Sequence, residues 1–120
     1  MNIFINSIVG FVTLLHLYFL ILEMFLWATP FGLRAFGQTL EQAKRSSVLA
    51  ANQGLYNGFL AAGLIWSLAH PNAEVAWQLK IFFLSCIVVA GIYGGYSVSK
   101  RILFIQALPA AIALVLLMIR

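Results

Sequence analysis

Residues 50–63 read AANQGLYNGFLAAG and lie inside a run long enough to cross a bilayer, yet Asn52, Gln53, Tyr56 and Asn57 fall within six positions of it. Carboxamides are costly in hydrocarbon unless their hydrogen bonds are satisfied. A helix packed among other helices resolves the conflict. Ala50, Gly54, Gly58 and Ala62 recur every fourth residue, a stripe of small side chains that admits a neighbouring backbone closely. The stretch therefore predicts a central helix, with one side packed flat and the other turning its amides inward.

The rest of the chain agrees with a membrane setting. Of its 120 residues, 63% are hydrophobic and only 8% charged, against roughly 25% charged in soluble domains. The net charge of +4 comes from basic residues at the ends of apolar segments, where they act as topology signals. They form no basic surface with interleaved aromatics, so nucleic acid is not an expected partner. The first apolar run has no charged n-region and no small-residue cleavage site, and it reads as a retained spanning helix. Cys86, alone and within an apolar run, reads as a small buried hydrophobe.

Four segments suit a bilayer core about 30 Å thick. The expected helices cover about 3–27, 40–70, 73–99 and 102–119, forming a single all-α domain over 1–120, an integral membrane four-helix bundle. Thr29–Pro30 and His70–Pro71 mark stops. Thr39 with Gln42 forms a capping-box pattern, and Asn72 is placed to cap the third helix. Leu33, Phe36 and Leu40 have the spacing of a short stretch lying in the interface, although a plain loop fits them equally. Pro109 interrupts the last helix by removing a hydrogen bond to Ile105. Arg34, Lys44, Arg45, Lys100 and Arg101 fall on one side, and Lys80 and Arg120 on the other. Five against two places those loops in the cytoplasm and both termini outside, as a multi-pass protein of the cell membrane.

With that orientation the polar residues share one layer, the cytoplasmic half. Glu23 and Trp27 close the first helix there, and Asn52, Gln53, Tyr56 and Asn57 lie on the second. Tyr93 is on the third helix and Gln106 on the fourth. His16 and Glu23 are seven residues apart, so they share a face within about 20° and are about 10 Å apart along the axis. Glu23 is an intramembrane carboxyl, which points to function by default. Against this stands interfacial placement, with Arg34 or water as its partner. Burial disfavours the charged carboxylate and amide donors favour it, so the residues alone leave its state open. His16 is either a satisfied core residue or a proton relay to Glu23. The amides are either helix glue or part of a pocket. Gly91 and Gly95 offer a second packing groove on the third helix. No HExxH or CxxC spacing occurs, and His16, Glu23 and an amide make a poor ligand set. No metal or other cofactor is expected.

WATPFG at 27–32, NQGLYNGFLAAGL at 52–64 and GIYGGYSV at 91–98 together resemble a family of small bacterial membrane proteins defined only as domain of unknown function 1304. The resemblance covers nearly the whole chain and implies a compact four-helix membrane protein, but it brings no accepted activity. The residues themselves favour a membrane-embedded binding protein or small transporter, proton-coupled through Glu23. Its ligand would be a small lipophilic or cationic molecule, oriented by Asn52, Gln53, Asn57, Tyr93 and Gln106 between walls of Tyr56 and Trp27. Four short helices enclose little volume, so transport calls for a homodimer, with Gly54 and Gly58 at its interface or spent within one chain. Membrane lipid is the other expected partner. The alternatives are a membrane enzyme of isomerase or hydratase type, with Glu23 and His16 moving protons, and an accessory subunit of a larger complex.

Overall fold

Several helix boundaries have a local chemical cause. The structure is a computed structural model that describes residues 3–119. α1 (Ile3–Phe25) stops just before Thr29–Pro30, and the same dipeptide begins α2 (Pro30–Phe36). Thr29 Oγ1 accepts from the Gly32 N–H at 3.3 Å, and Pro30 takes the first turn, where its missing N–H costs nothing. Gly37, at φ 61°, ends the helix in the left-handed conformation that glycine tolerates. A fifth helix thus stands where a loop or an interfacial stretch was expected, and among the described residues the four-helix description is corrected to five.

α3 (Leu40–Ala69) opens on a reciprocal capping box. The Thr39 N–H donates to Gln42 Oε1 at 3.0 Å, and the Gln42 N–H donates to Thr39 Oγ1 at 3.1 Å. Thr39→Ala should cost about 1 kcal/mol, read as a lowered Tm in detergent. α4 (Ala73–Ser97) is capped by Asn72, whose Oδ1 accepts from the Val75 N–H at 3.0 Å.

The last helix, α5 (Lys100–Met118), contains a π-helical turn over Leu103–Ala107, closed by the Leu108 N–H donating to the Leu103 carbonyl. Pro109 follows directly. The wider turn absorbs the break where a proline would otherwise kink the helix.

Among the described residues, three helices are long and apolar enough to cross a membrane: α1, α4 and α5, of 23, 25 and 19 residues. α3 is longer, at 30 residues, but is not among them. Asn52, Gln53 and Asn57 dilute its apolar part, and Glu41, Lys44 and Arg45 occupy its first turns.

The chain divides into two compact units. One holds Leu15–Phe59: the second half of α1, then α2 and the first two-thirds of α3. Here α1 and α3 run antiparallel at close range. A Cβ added at Gly54 would lie 2.7 Å from Met24 Cγ, and one at Gly58 would lie 2.6 Å from Leu20 Cδ1. The other unit is built from the residues on either side. Its core joins Val9 and Val12 of α1, Leu64 of α3, Leu84 and Ile87 of α4, and Ala110, Ala113 and Leu117 of α5. Trp77 Nε1 donates to the Leu117 carbonyl at 3.0 Å, fastening the start of α4 to the end of α5. Farther along the same pair, a Cβ at Gly95 would lie 2.7 Å from Leu103 Cβ.

Candidate functional site

The glycines that bring α1 and α3 together also bring Glu23 to Asn57. Gly54 and Asn57 are three residues apart and therefore share a helix face. The close approach at Gly54 lets the Asn57 side chain reach across. Its Nδ2 donates to Glu23 Oε1 at 2.6 Å. Asn57 is buried, at 3% exposure, and Glu23 is half-buried. The other end of the amide, Asn57 Oδ1, is buried without a hydrogen-bond partner among the described residues. A buried acceptor left open is uncommon, because it forfeits the bonds it had in water.

Trp27, just past the end of α1, is half-buried, donates from Nε1 to Ser46 Oγ at 3.0 Å and lies 4.8 Å from the Phe36 ring. Ser46 gave no signal in the sequence as a partner, since a serine on the charged first turns of α3 reads as solvent-facing. His16 is fully buried two turns earlier on α1, edge-on to Phe19 with ring centroids 5.4 Å apart.

The remaining candidates divide. Asn52, Gln53 and Tyr56 are exposed, so α3 turns one amide inward rather than three. Asn52 Nδ2 donates to the Tyr56 hydroxyl at 3.3 Å along the outward face. Tyr93 and Gln106 belong to the other unit, where Tyr93 is 70% exposed and Gln106 is buried within the π turn.

The packing residues divide too. Gly54 and Gly91 are buried, and Gly58 and Gly95 half-buried, each against a neighbouring helix, whereas Ala62 is exposed. Four-residue steps advance about 40° beyond a full turn, so the stripe walks off the buried face after Gly58. Ala50, Gly54, Asn57, Ala61 and Leu64 are the buried line instead.

Buried polar groups also occur outside the layer read from the sequence. Thr13, Ser67 and Lys80 are buried in the other unit. The two hydroxyls bond to their own helix, at Val9 and Leu64 carbonyls. Lys80 shares a face with Ala76 and Leu84, a four-residue spacing visible in the sequence, where a lysine reads first as a topology signal.

A family model described as protein of unknown function (DUF1304) matches residues 10–118. The chain belongs to this family. The DUF1304 match takes in every candidate residue above. A relative from Lactococcus lactis subsp. lactis (strain IL1403), named uncharacterized protein YpaA, is 32% identical over 106 residues, 87% of each chain. No solved structure matches the chain.

Proposed function

We propose that this DUF1304 protein is a multi-pass protein of the cell membrane that binds, and as a transporter moves, a small lipophilic cation at Glu23 and Asn57. The observation that carries the reading is the Asn57 amide, which donates to Glu23 Oε1 at 2.6 Å while its own Oδ1 stays buried with no partner among the described residues. A carboxyl oxygen and an unused amide carbonyl are both acceptors. Their complement is a guest carrying N–H donors and a positive charge, and an intramembrane carboxyl is the usual counter-ion for one. Trp27 supplies an aromatic wall at the same end of α1.

α3 completes the bundle in this reading. It runs antiparallel to α1 at Gly54 and Gly58, which takes the Asn57 amide out of lipid. A fourth crossing returns both termini to the outer side, as the basic residues favour.

Ethidium, a lipophilic cation with N–H donors, is the probe. Proteoliposomes under an imposed pH gradient should move it faster with the wild type than with Glu23→Gln. Equal rates for wild-type and protein-free vesicles, together with no ethidium binding to the purified protein, would overturn the proposal.

A further inference from the structure

Among the described residues, Lys80 is the only lysine, arginine or acidic side chain that is buried, at 2% exposure. It stands on the core stripe of α4, which runs Ala76, Lys80, Leu84, Ile87 and Gly91. Its stem therefore packs into the bundle rather than along lipid. An ammonium in such a place is costly unless an opposite charge and further acceptors meet it.

The described side chains supply no such charge. No hydrogen bond or ion pair among the described residues reaches Lys80. Of the three acidic residues in the chain, Glu74 alone lies in the same unit. Glu74 is exposed in the first turn of α4, and the six residues between them turn it about 120° around the helix from Lys80. The polar neighbour at the level of Lys80 is a hydroxyl. Gly63 of α3 packs on the Phe83 ring of α4, and the two helices run antiparallel through the turn at 70–72. Four residues onward along α3 and three back along α4, Ser67 comes level with Lys80. Ser67 is buried, and its Oγ donates to the Leu64 carbonyl at 2.6 Å. That oxygen can accept an N–H, but it brings no negative charge.

Depth indicates where the charge comes from. α4 has 25 residues, a length of about 38 Å, against a hydrocarbon core of about 30 Å. Lys80 lies about 10 Å along the axis from the start of α4, and helical side chains lean back toward the N-terminus. The ammonium thus points to the end of the bundle where headgroup phosphates lie, the habit of lysines near the ends of spanning helices. We propose that Lys80 binds an oxyanion of the phosphate class at the end of the bundle where α4 begins, with Ser67 Oγ as a further acceptor for its N–H groups. A lipid headgroup and free phosphate offer the same chemistry. The site stands independently of the function proposed for Glu23.

Thermal unfolding of the purified protein in detergent tests it, with phosphatidylglycerol and inorganic phosphate as probes. Net-neutral phosphatidylcholine, and sodium chloride at equal ionic strength, are the controls. Lys80→Met keeps the length of the chain and removes the charge, and Lys100→Met removes an exposed charge instead. If phosphatidylglycerol raises the Tm of the wild type and of Lys100→Met but not of Lys80→Met, the site is supported and a headgroup is its source. The same pattern with inorganic phosphate supports it with a free anion as source. No rise with either probe, or an equal rise in Lys80→Met, would overturn the proposal. ¹⁵N NMR of the wild-type lysine side chains, assigned through Lys44→Met and Lys100→Met, decides the matter without changing Lys80. Its Nζ resonance should move as the probe is added, and a resonance that stays in place rejects the site.

Discussion

Gly91→Val should abolish recovery of folded protein in detergent, while Gly10→Ala, inside α1 with room for its Cβ, should leave yield where it is and Tm no lower. The contrast follows from what a new Cβ would meet. At Gly91 it would lie 2.7 Å from both the nitrogen and the Cβ of Ala107, and 2.9 Å from its Cα. These are mostly backbone atoms, and they belong to the π turn that accommodates Pro109. A side chain could swing aside, but this backbone is fixed by its own helix. At Gly10 nothing lies within 4 Å. Overpacking a tight site usually costs about 1–3 kcal/mol, and a β-branched residue against main chain belongs at or above the top of that range. Gly94→Ala is the graded case, because its new Cβ would meet the Ile102 side chain at 2.8 Å, which has some freedom to turn. The order of damage should be Gly91→Val, then Gly94→Ala, then Gly10→Ala, by size-exclusion profile and thermal unfolding. A Gly91→Val protein that unfolds at the wild-type temperature would mean that α4 and α5 do not approach as described.

That ranking could not have been made from the sequence, although much else could. Helix positions were legible because stops and caps are short-range chemistry. Thr39 with Gln42, Asn72, and the two Xaa–Pro pairs act within one turn of themselves. α2 was only half legible for the same reason in reverse. Thr29–Pro30 ends one helix and starts the next with the same two side chains, and read in one direction it shows only the stop. The facing of the amides was the larger difference. Asn52, Gln53 and Asn57 cluster in sequence, and a shared depth made them look like one polar layer. Helical rotation separates Asn57 from Asn52 by about 140°, and only the contact at Gly54 decides which side faces α1. The four-residue stripe failed gradually, holding through Gly58 and losing Ala62 as the drift accumulated. Lys80 illustrates a different limit. A lysine in an apolar helix is weighed first as a topology signal, and nothing local distinguishes one whose stem is packed into a core face.

Glu23 and Asn57 should behave as a coupled pair whose removal together costs less than the sum of separate removals. Asn57→Leu takes away the donor 2.6 Å from Glu23 Oε1 and leaves a half-buried carboxyl without it. Glu23→Leu strands a buried amide, whose Oδ1 already has no partner among the described residues. Each single change therefore leaves one polar group desolvated, which costs about 1–3 kcal/mol and more if the group is charged. Replacing both by leucine removes the stranded groups, and such double replacements can come close to neutral. The coupling from the four-protein cycle should exceed the roughly 0.6 kcal/mol average for hydrogen bonds between membrane helices, because each single change strands a polar group that is buried or half-buried. Asn52→Leu and Gln53→Leu serve as the comparison. Both side chains are exposed and neither reaches Glu23, so neither should couple to it. The double mutant also separates stability from function. If Glu23 and Asn57 serve only to hold α1 against α3, Glu23→Leu/Asn57→Leu should fold well and lose nothing else. If they form the acceptor site for a cation, the same protein should fold well and no longer bind ethidium. A double mutant that folds and still binds ethidium as the wild type does would remove the pair from the site and leave it as packing between two helices.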